Sequence, residues 1–262
     1  MTAGRLARWA LAAPLALALA AGAAGCGAGD PAAPSGDGAT TLTVFAAASL
    51  TGTFTELGRA FEAAHPGTTV RFNFGSSATL AQQVVQGAPA DVFAAASPAT
   101  MKTVTDASPT AAPPVTFARN RLQIAVPADD PAGVDELADL ADPKVKVALC
   151  AEQVPCGAAA AKVLDAAGLT VTPVTLEQDV KATLTKVELG EVDAALVYRT
   201  DVLAAAGRVR GIDFPGAGKA VNDYPVAALS SAAAPEAAGR FVDLVLSRQG
   251  RDVLTKAGFQ VP

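Results

Sequence analysis

Apolar residues along this chain follow two alternating rhythms. Short runs rich in apolar and β-branched residues, TLTVFAA (41–47), TVRFNF (69–74) and ADVFAAA (90–96), are separated by stretches whose apolar positions recur every three or four residues. The first such stretch puts Leu50, Phe54, Leu57 and Phe61 on one helical face, and His65-Pro66-Gly67 stops it. A second helix is expected from Ala78. A further set follows: RLQIAVP (121–127), KVKVALC (144–150), a helix from about Gly157, TVTPVTL (170–176), a helix from Val180 with Leu184 and Val187 on one face, and DAALVYR (193–199). YPVAALS (224–230) adds another strand, and two helical stretches finish the chain. Alternation of this kind predicts βα units on largely parallel sheets, and the count fits two similar α/β lobes.

The ends of the chain change the picture. Arg5 and Arg8 precede an Ala- and Leu-rich run from Trp9 to Ala24, the pattern of a secretory signal and short for a membrane span. It closes on Ala23-Ala24-Gly25-Cys26, which resembles the lipobox of bacterial lipoproteins, so residues 1–25 are expected to be removed and Cys26 acylated. Residues 26–40 hold mostly Gly, Ala, Pro, Ser and Asp and read as a flexible tether, with a reach of roughly 45 Å when extended. The protein is therefore expected outside the cytoplasm, anchored to the cell membrane through lipid. Without residues 1–25 the formal charge is 18 − 25 = −7, the two lost bases being Arg5 and Arg8. There is no basic stripe and no interleaving of aromatic and basic residues, which argues against a nucleic-acid partner.

Candidate chemistry gathers where strands give way to helices. In open parallel sheets, ligands sit beyond the carboxyl ends of strands, where helix N-termini carry unpaired N–H groups. Ser49 follows TLTVFAA, Gly75-Ser76-Ser77-Ala78 follows TVRFNF, Pro155-Cys156-Gly157 opens the helix after KVKVALC, and Asp179-Val180 opens the next. With Tyr198 at the end of DAALVY, these junctions could surround a small anion with neutral donors aided by helix dipoles. A plain N-cap is the simpler account of Ser49 taken alone.

FAAASLTGTF, FGSSATLAQQVVQGAPADVFAAAS, EQVPCG, EQDVKATLTKVELGEVDAALVY and DYPVAAL, in this order, closely resemble the molybdate-binding substrate-capture proteins of ABC importers, from about Thr41 to Pro262. The resemblance implies a type II periplasmic-binding-protein fold: two mainly parallel sheets flanked by helices, joined by crossover strands, with the oxyanion in the cleft. It suggests lobe I from 41–121 plus 224–262 and lobe II from 122–223. It further implies that Ser49, Ser77 and Tyr198 bind through hydroxyls and Cys156 and Val180 through backbone N–H groups. Where Cys156 stands, the family usually has a small residue such as Ala. The implied function is capture of molybdate, and of tungstate, by a monomer that hands the anion to a permease with its ATPase. No catalysis, no cofactor and no metal cation are expected, molybdenum entering only as the oxyanion. The proposed donors offer no carboxylate to accept a proton, so fully deprotonated tetrahedral anions should be preferred, and size should separate molybdate from sulfate.

Other residues have simpler accounts. Cys150 and Cys156, spaced C-x5-C in an exported protein, are expected to form a disulfide. His65 reads as a helix C-cap, Asp179 as a helix N-cap, and Asp91 as a structural acceptor under the cleft. Arg199 could face solvent, the other lobe or the transporter. Three rival functions are a same-fold binder of sulfate or another oxyanion, a secreted hydrolase, and a thiol oxidoreductase. The hydrolase lacks a G-x-S-x-G elbow and has one histidine to serve as base. The oxidoreductase would more typically use C-x-x-C.

Overall fold

A computed structural model describes residues 40–262. The expected signal peptide, Cys26 and all but the last residue of the expected tether lie outside the described residues. Three parallel strands open the fold: β1 (Thr40–Ala47), β2 (Thr68–Gly75) and β3 (Val92–Ala94), with β1 between the other two. They alternate with α1 (Thr51–Ala64) and α2 (Ser77–Val85), and α3 (Pro98–Ala107) leads on to β4 (Val115–Asn120). Arg121 alone separates β4 from β5 (Leu122–Pro127), which already belongs to the second sheet.

In that sheet β6 (Val147–Cys150) pairs in parallel with β7 (Thr175–Glu177) and β8 (Ala194–Tyr198), while β5 is antiparallel to both β8 and β9 (Val209–Ile212). The helices α4 (Pro155–Ala167), α5 (Val180–Glu188) and α6 (Arg199–Ala204) connect these strands. The chain then returns as β10 (Asn222–Ala228), which inserts antiparallel between β3 and β4, and ends in α7 (Pro235–Leu246) and α8 (Arg248–Lys256). The result is two five-stranded sheets, ordered 2-1-3-10-4 and 7-6-8-5-9. In each sheet four strands run one way and a single strand, β10 in the first and β5 in the second, runs against them, so the sheets are mainly parallel as expected, with one antiparallel insertion apiece.

Local physics explains the elements. Phe54, Leu57 and Phe61 of α1 are buried on one face, and the rings of Phe54 and Phe61 meet those of Phe72, Phe117 and Phe241 at centroid distances of 5.5 to 6.5 Å, forming the core of the first lobe. His65 caps α1, its Nδ1 lying 2.9 Å from the Phe61 carbonyl. In the second lobe α4 begins with Pro155 at its first position and ends on Gly168, whose φ of 67° is the left-handed conformation that glycine tolerates best. Among the described residues, no helix is long and apolar enough to cross a membrane.

Candidate functional site

The carboxyl ends of β1, β2, β6 and β8 converge on a small cavity of about 20 Å³ between the two sheets. Ser49, Ser77, Cys156, Val180 and Tyr198 all line it, together with Ser76 and Asp179. The structure thus brings together residues as far apart in sequence as 49 and 198.

The first lobe contributes hydroxyls. Ser49 lies in a single 3-10 turn, Ala48–Leu50, between β1 and α1 and makes no cap bond, so it is not the plain N-cap that a lone serine would suggest. Its Oγ is 2.9 Å from the Tyr224 Oη. Ser77 opens α2, and its Oγ accepts the Ala96 N–H at 2.9 Å, which leaves its own proton free for another acceptor. Ser76 occupies the N-cap position without capping, and its buried Oγ has no protein partner. The Ser76 hydroxyl went unassigned in the sequence, where the adjacent Ser77 alone matched the family pattern.

The second lobe contributes two helix N-termini and a phenol. Cys156 is the second residue of α4, where a backbone N–H has no intrahelical carbonyl. Its side chain is bonded to Cys150 at the end of β6, with the Cα atoms 5.8 Å apart. The turn is so tight that a Cβ on Gly157 would stand 1.9 Å from the Ala151 carbonyl oxygen, so no other residue fits there without rebuilding the loop. Val180 is the first residue of α5. Asp179 caps that helix, its Oδ1 accepting from Lys181 N–H at 2.8 Å and Ala182 N–H at 3.0 Å. The carboxylate thereby takes up the second and third amides and leaves the Val180 N–H unclaimed. Cys150 Sγ also lies 3.2 Å from Thr183 Oγ1, so the disulfide touches both helices that point at the cavity.

Tyr198 is fully buried, and its Oη has no protein partner. Burial, then the neighbouring Tyr224 and Asp201, push its hydroxyl well above the usual tyrosine range. Burial likewise raises Tyr224, against the pull of its bond to Ser49. Both phenols therefore stay protonated at any physiological pH. Asp201, wholly buried on α6, lies 3.0 Å from Lys181 Nζ as an ion pair outside the angles of a directed hydrogen bond. Burial raises its carboxyl, and Lys181 offsets part of that rise. None of the residues lining the cavity is Lys, Arg or His. The cavity therefore offers neutral donors and helix N-termini, suited to an anion whose oxygens all accept.

The other residues singled out from sequence lie elsewhere. Asp91 accepts Thr43 N–H at 2.7 Å and Ala234 N–H at 3.0 Å, tying β1 to the loop before α7. Arg199 reaches across the lobes: its Nη1 donates to the Gly258 carbonyl at 3.2 Å, beside a buried Asn120 to Thr200 hydrogen bond of 2.8 Å at the crossover. Among the described residues, no three His, Cys, Asp or Glu side chains cluster as a metal site.

Two α/β lobes closing on a cleft of buried hydroxyls and helix N-termini define a ligand-capture protein. Residues 42–260 match the model of the bacterial extracellular solute-binding proteins, and the chain belongs to that family, whose role is binding rather than catalysis. It is 42% identical over 247 residues to the molybdate-binding protein ModA of Mycobacterium tuberculosis H37Rv, covering 93% of this chain and 95% of that one. Among solved structures, the periplasmic molybdate-binding protein of Azotobacter vinelandii superposes with a TM-score of 0.73 at 23% identity, over 84% of this chain and 99% of that one. The sulfate-binding protein SubI of M. tuberculosis gives 0.72 at 19% identity, over 85% and 87%. At such identities these two structures speak for the fold alone.

Proposed function

We propose that this protein captures molybdate, and tungstate with it, outside the cytoplasm and delivers it to an ABC-type permease driven by a separate ATPase. The observation that carries this reading is the orphaned Tyr198 hydroxyl: a buried donor without a partner is costly, and a bound oxyanion would satisfy it. Ser49, Ser77 and Tyr198 donate through hydroxyls and Cys156 and Val180 through main-chain N–H groups. Desolvating a dianion is offset only when each oxygen receives such bonds. The 42% identity to a ModA over nearly the whole chain supports the same ligand. In this reading the protein acts as a monomer held to the membrane by lipid on Cys26. Cys26→Ser should then move the protein to the soluble fraction on cell fractionation.

Titration calorimetry with molybdate, tungstate, sulfate and phosphate tests the ligand. Tight binding of the first two and weak or absent binding of the others is expected, and a preference for sulfate would overturn the assignment. Ser49→Ala and Ser77→Ala should each weaken molybdate binding by about 1.5–3 kcal/mol, the worth of a hydrogen bond to a charged acceptor. If both folded variants bind like the parent, the anion sits elsewhere.

A further inference from the structure

Tyr224 does not line the cavity, yet its hydroxyl touches a residue that does. The 2.9 Å contact between Ser49 Oγ and Tyr224 Oη can run in either direction, and the two directions present opposite faces to a ligand. If Tyr224 donates, the Ser49 proton is left to point into the cleft. If Ser49 donates, the cleft meets its lone pairs. We propose that Tyr224 is a specificity-determining residue: its hydroxyl donates to Ser49, fixes Ser49 as a donor toward the cleft, and so denies a protonated oxyanion an acceptor at that position. This inference rests on the oxyanion reading of the cavity.

Several features favour that direction. A phenol is a stronger acid than an alkyl alcohol and hence the better donor of the pair. Tyr224 is fully buried on β10, its ring packed edge-on against Tyr198 at 6.1 Å and Phe259 at 5.4 Å, so its oxygen is held in place beside Ser49. Ser77 shows the same logic with no ambiguity, because the group filling its acceptor side is the Ala96 N–H, which can only donate. Each serine thus has its lone pairs engaged from behind and its proton directed forward. Both serines then meet the cleft as donors. Molybdate and sulfate, both unprotonated near neutrality, fit such a shell. Hydrogen phosphate would bring a proton that neither serine accepts. Without the Tyr224 hydroxyl, Ser49 becomes free to rotate and accept that proton.

The test is Tyr224→Phe, which keeps the ring packing, titrated near neutral pH with molybdate, sulfate and inorganic phosphate beside the parent protein. Molybdate and sulfate should weaken together by about two- to tenfold, the range of one ordinary hydrogen bond. Phosphate should hold or strengthen, so that the molybdate-to-phosphate ratio narrows while the molybdate-to-sulfate ratio does not. In a Ser49→Ala background the same substitution should leave both ratios unmoved, because the residue it acts through is gone. A parallel fall for all three anions, unchanged binding, or a ratio that still shifts without Ser49 overturns the proposal. Failure of the parent protein to bind molybdate at all would instead mark the functional reading as wrong.

Discussion

Replacing Tyr198 by Phe should raise the stability of the ligand-free protein while weakening its grip on the anion. The Oη is buried and unpartnered, and leaving such a group without a hydrogen bond costs about 1–3 kcal/mol. Phe removes the oxygen and keeps the ring that packs against Tyr224. For a folded region of this size each kcal/mol is worth about 2–4 °C, so the empty variant should melt about 2–12 °C above the parent. With molybdate the order should reverse in one respect. Ligand stabilises by an amount that grows with concentration over Kd, and losing a bond to a charged acceptor removes about 1.5–3 kcal/mol of it. Scanning calorimetry with and without molybdate reads both effects in one experiment: a higher starting Tm and a smaller ligand-induced rise. A ligand-free variant that melts below the parent would refute the reasoning, since it would mean that the hydroxyl is already satisfied in the empty protein.

Three further outcomes rest on the site. Because burial raises the hydroxyls of both Tyr198 and Tyr224, neither loses its proton until well above the ordinary tyrosine range, and molybdate affinity should stay flat from about pH 6 to pH 8.5; a tenfold drop across that range on calorimetry would point to a titrating ligand. Since the folded values exceed the unfolded ones, the linked stability is fully present below about pH 10 and is lost as pH rises beyond it, which denaturant melts in alkaline buffers can follow. Replacing Cys150 and Cys156 together by Ala should lower stability by about 2 kcal/mol on the chain-entropy model and also weaken molybdate, because the Cys156 N–H loses its tether to β6; thermal melts and titration of the variant check both parts.

The junctions that line the cavity were legible in the sequence, whereas several strands of the fold were not. Ser49, Ser77, Cys156, Val180 and Tyr198 stand at strand-to-helix junctions, which small residues and apolar rhythm mark plainly, and all of them line the cavity. The elements without such rhythm stayed hidden. In β4, Val115 is 44% exposed and Phe117 is buried, and the order of the strand comes from pairing with β10 more than from its own pattern. β9 has two exposed residues among its four. α3 is rich in Thr and is announced mainly by the Ser97 cap and Pro98. Conversely, TVTPVTL reads as a long strand but only its end pairs, in β7, because Thr170 to Pro173 run as irregular chain past α4. β10 starts at Asn222, before the apolar run beginning at Tyr224, because Asn222 and Asp223 pair with β4 through backbone groups that side-chain patterns do not report. The contact of Tyr224 with Ser49 spans 175 residues, a distance over which no local pattern carries information.

The place of β10 also sets an order of events. It lies between β3 and β4 in the sheet but is made about a hundred residues after β4. The strands of the second lobe, by contrast, come from one unbroken stretch between Leu122 and Ile212. As the chain emerges from its N-terminus, the second lobe holds everything it needs to fold, while β3 and β4 wait with open edges for a strand to come between them. Only when β10 arrives does the first sheet close, and the same strand brings Tyr224 to Ser49. A chain cut short before Asn222 would therefore present a complete half of the cleft and an unfinished partner, and an exporting cell gains no binding activity until almost the whole polypeptide has crossed the membrane.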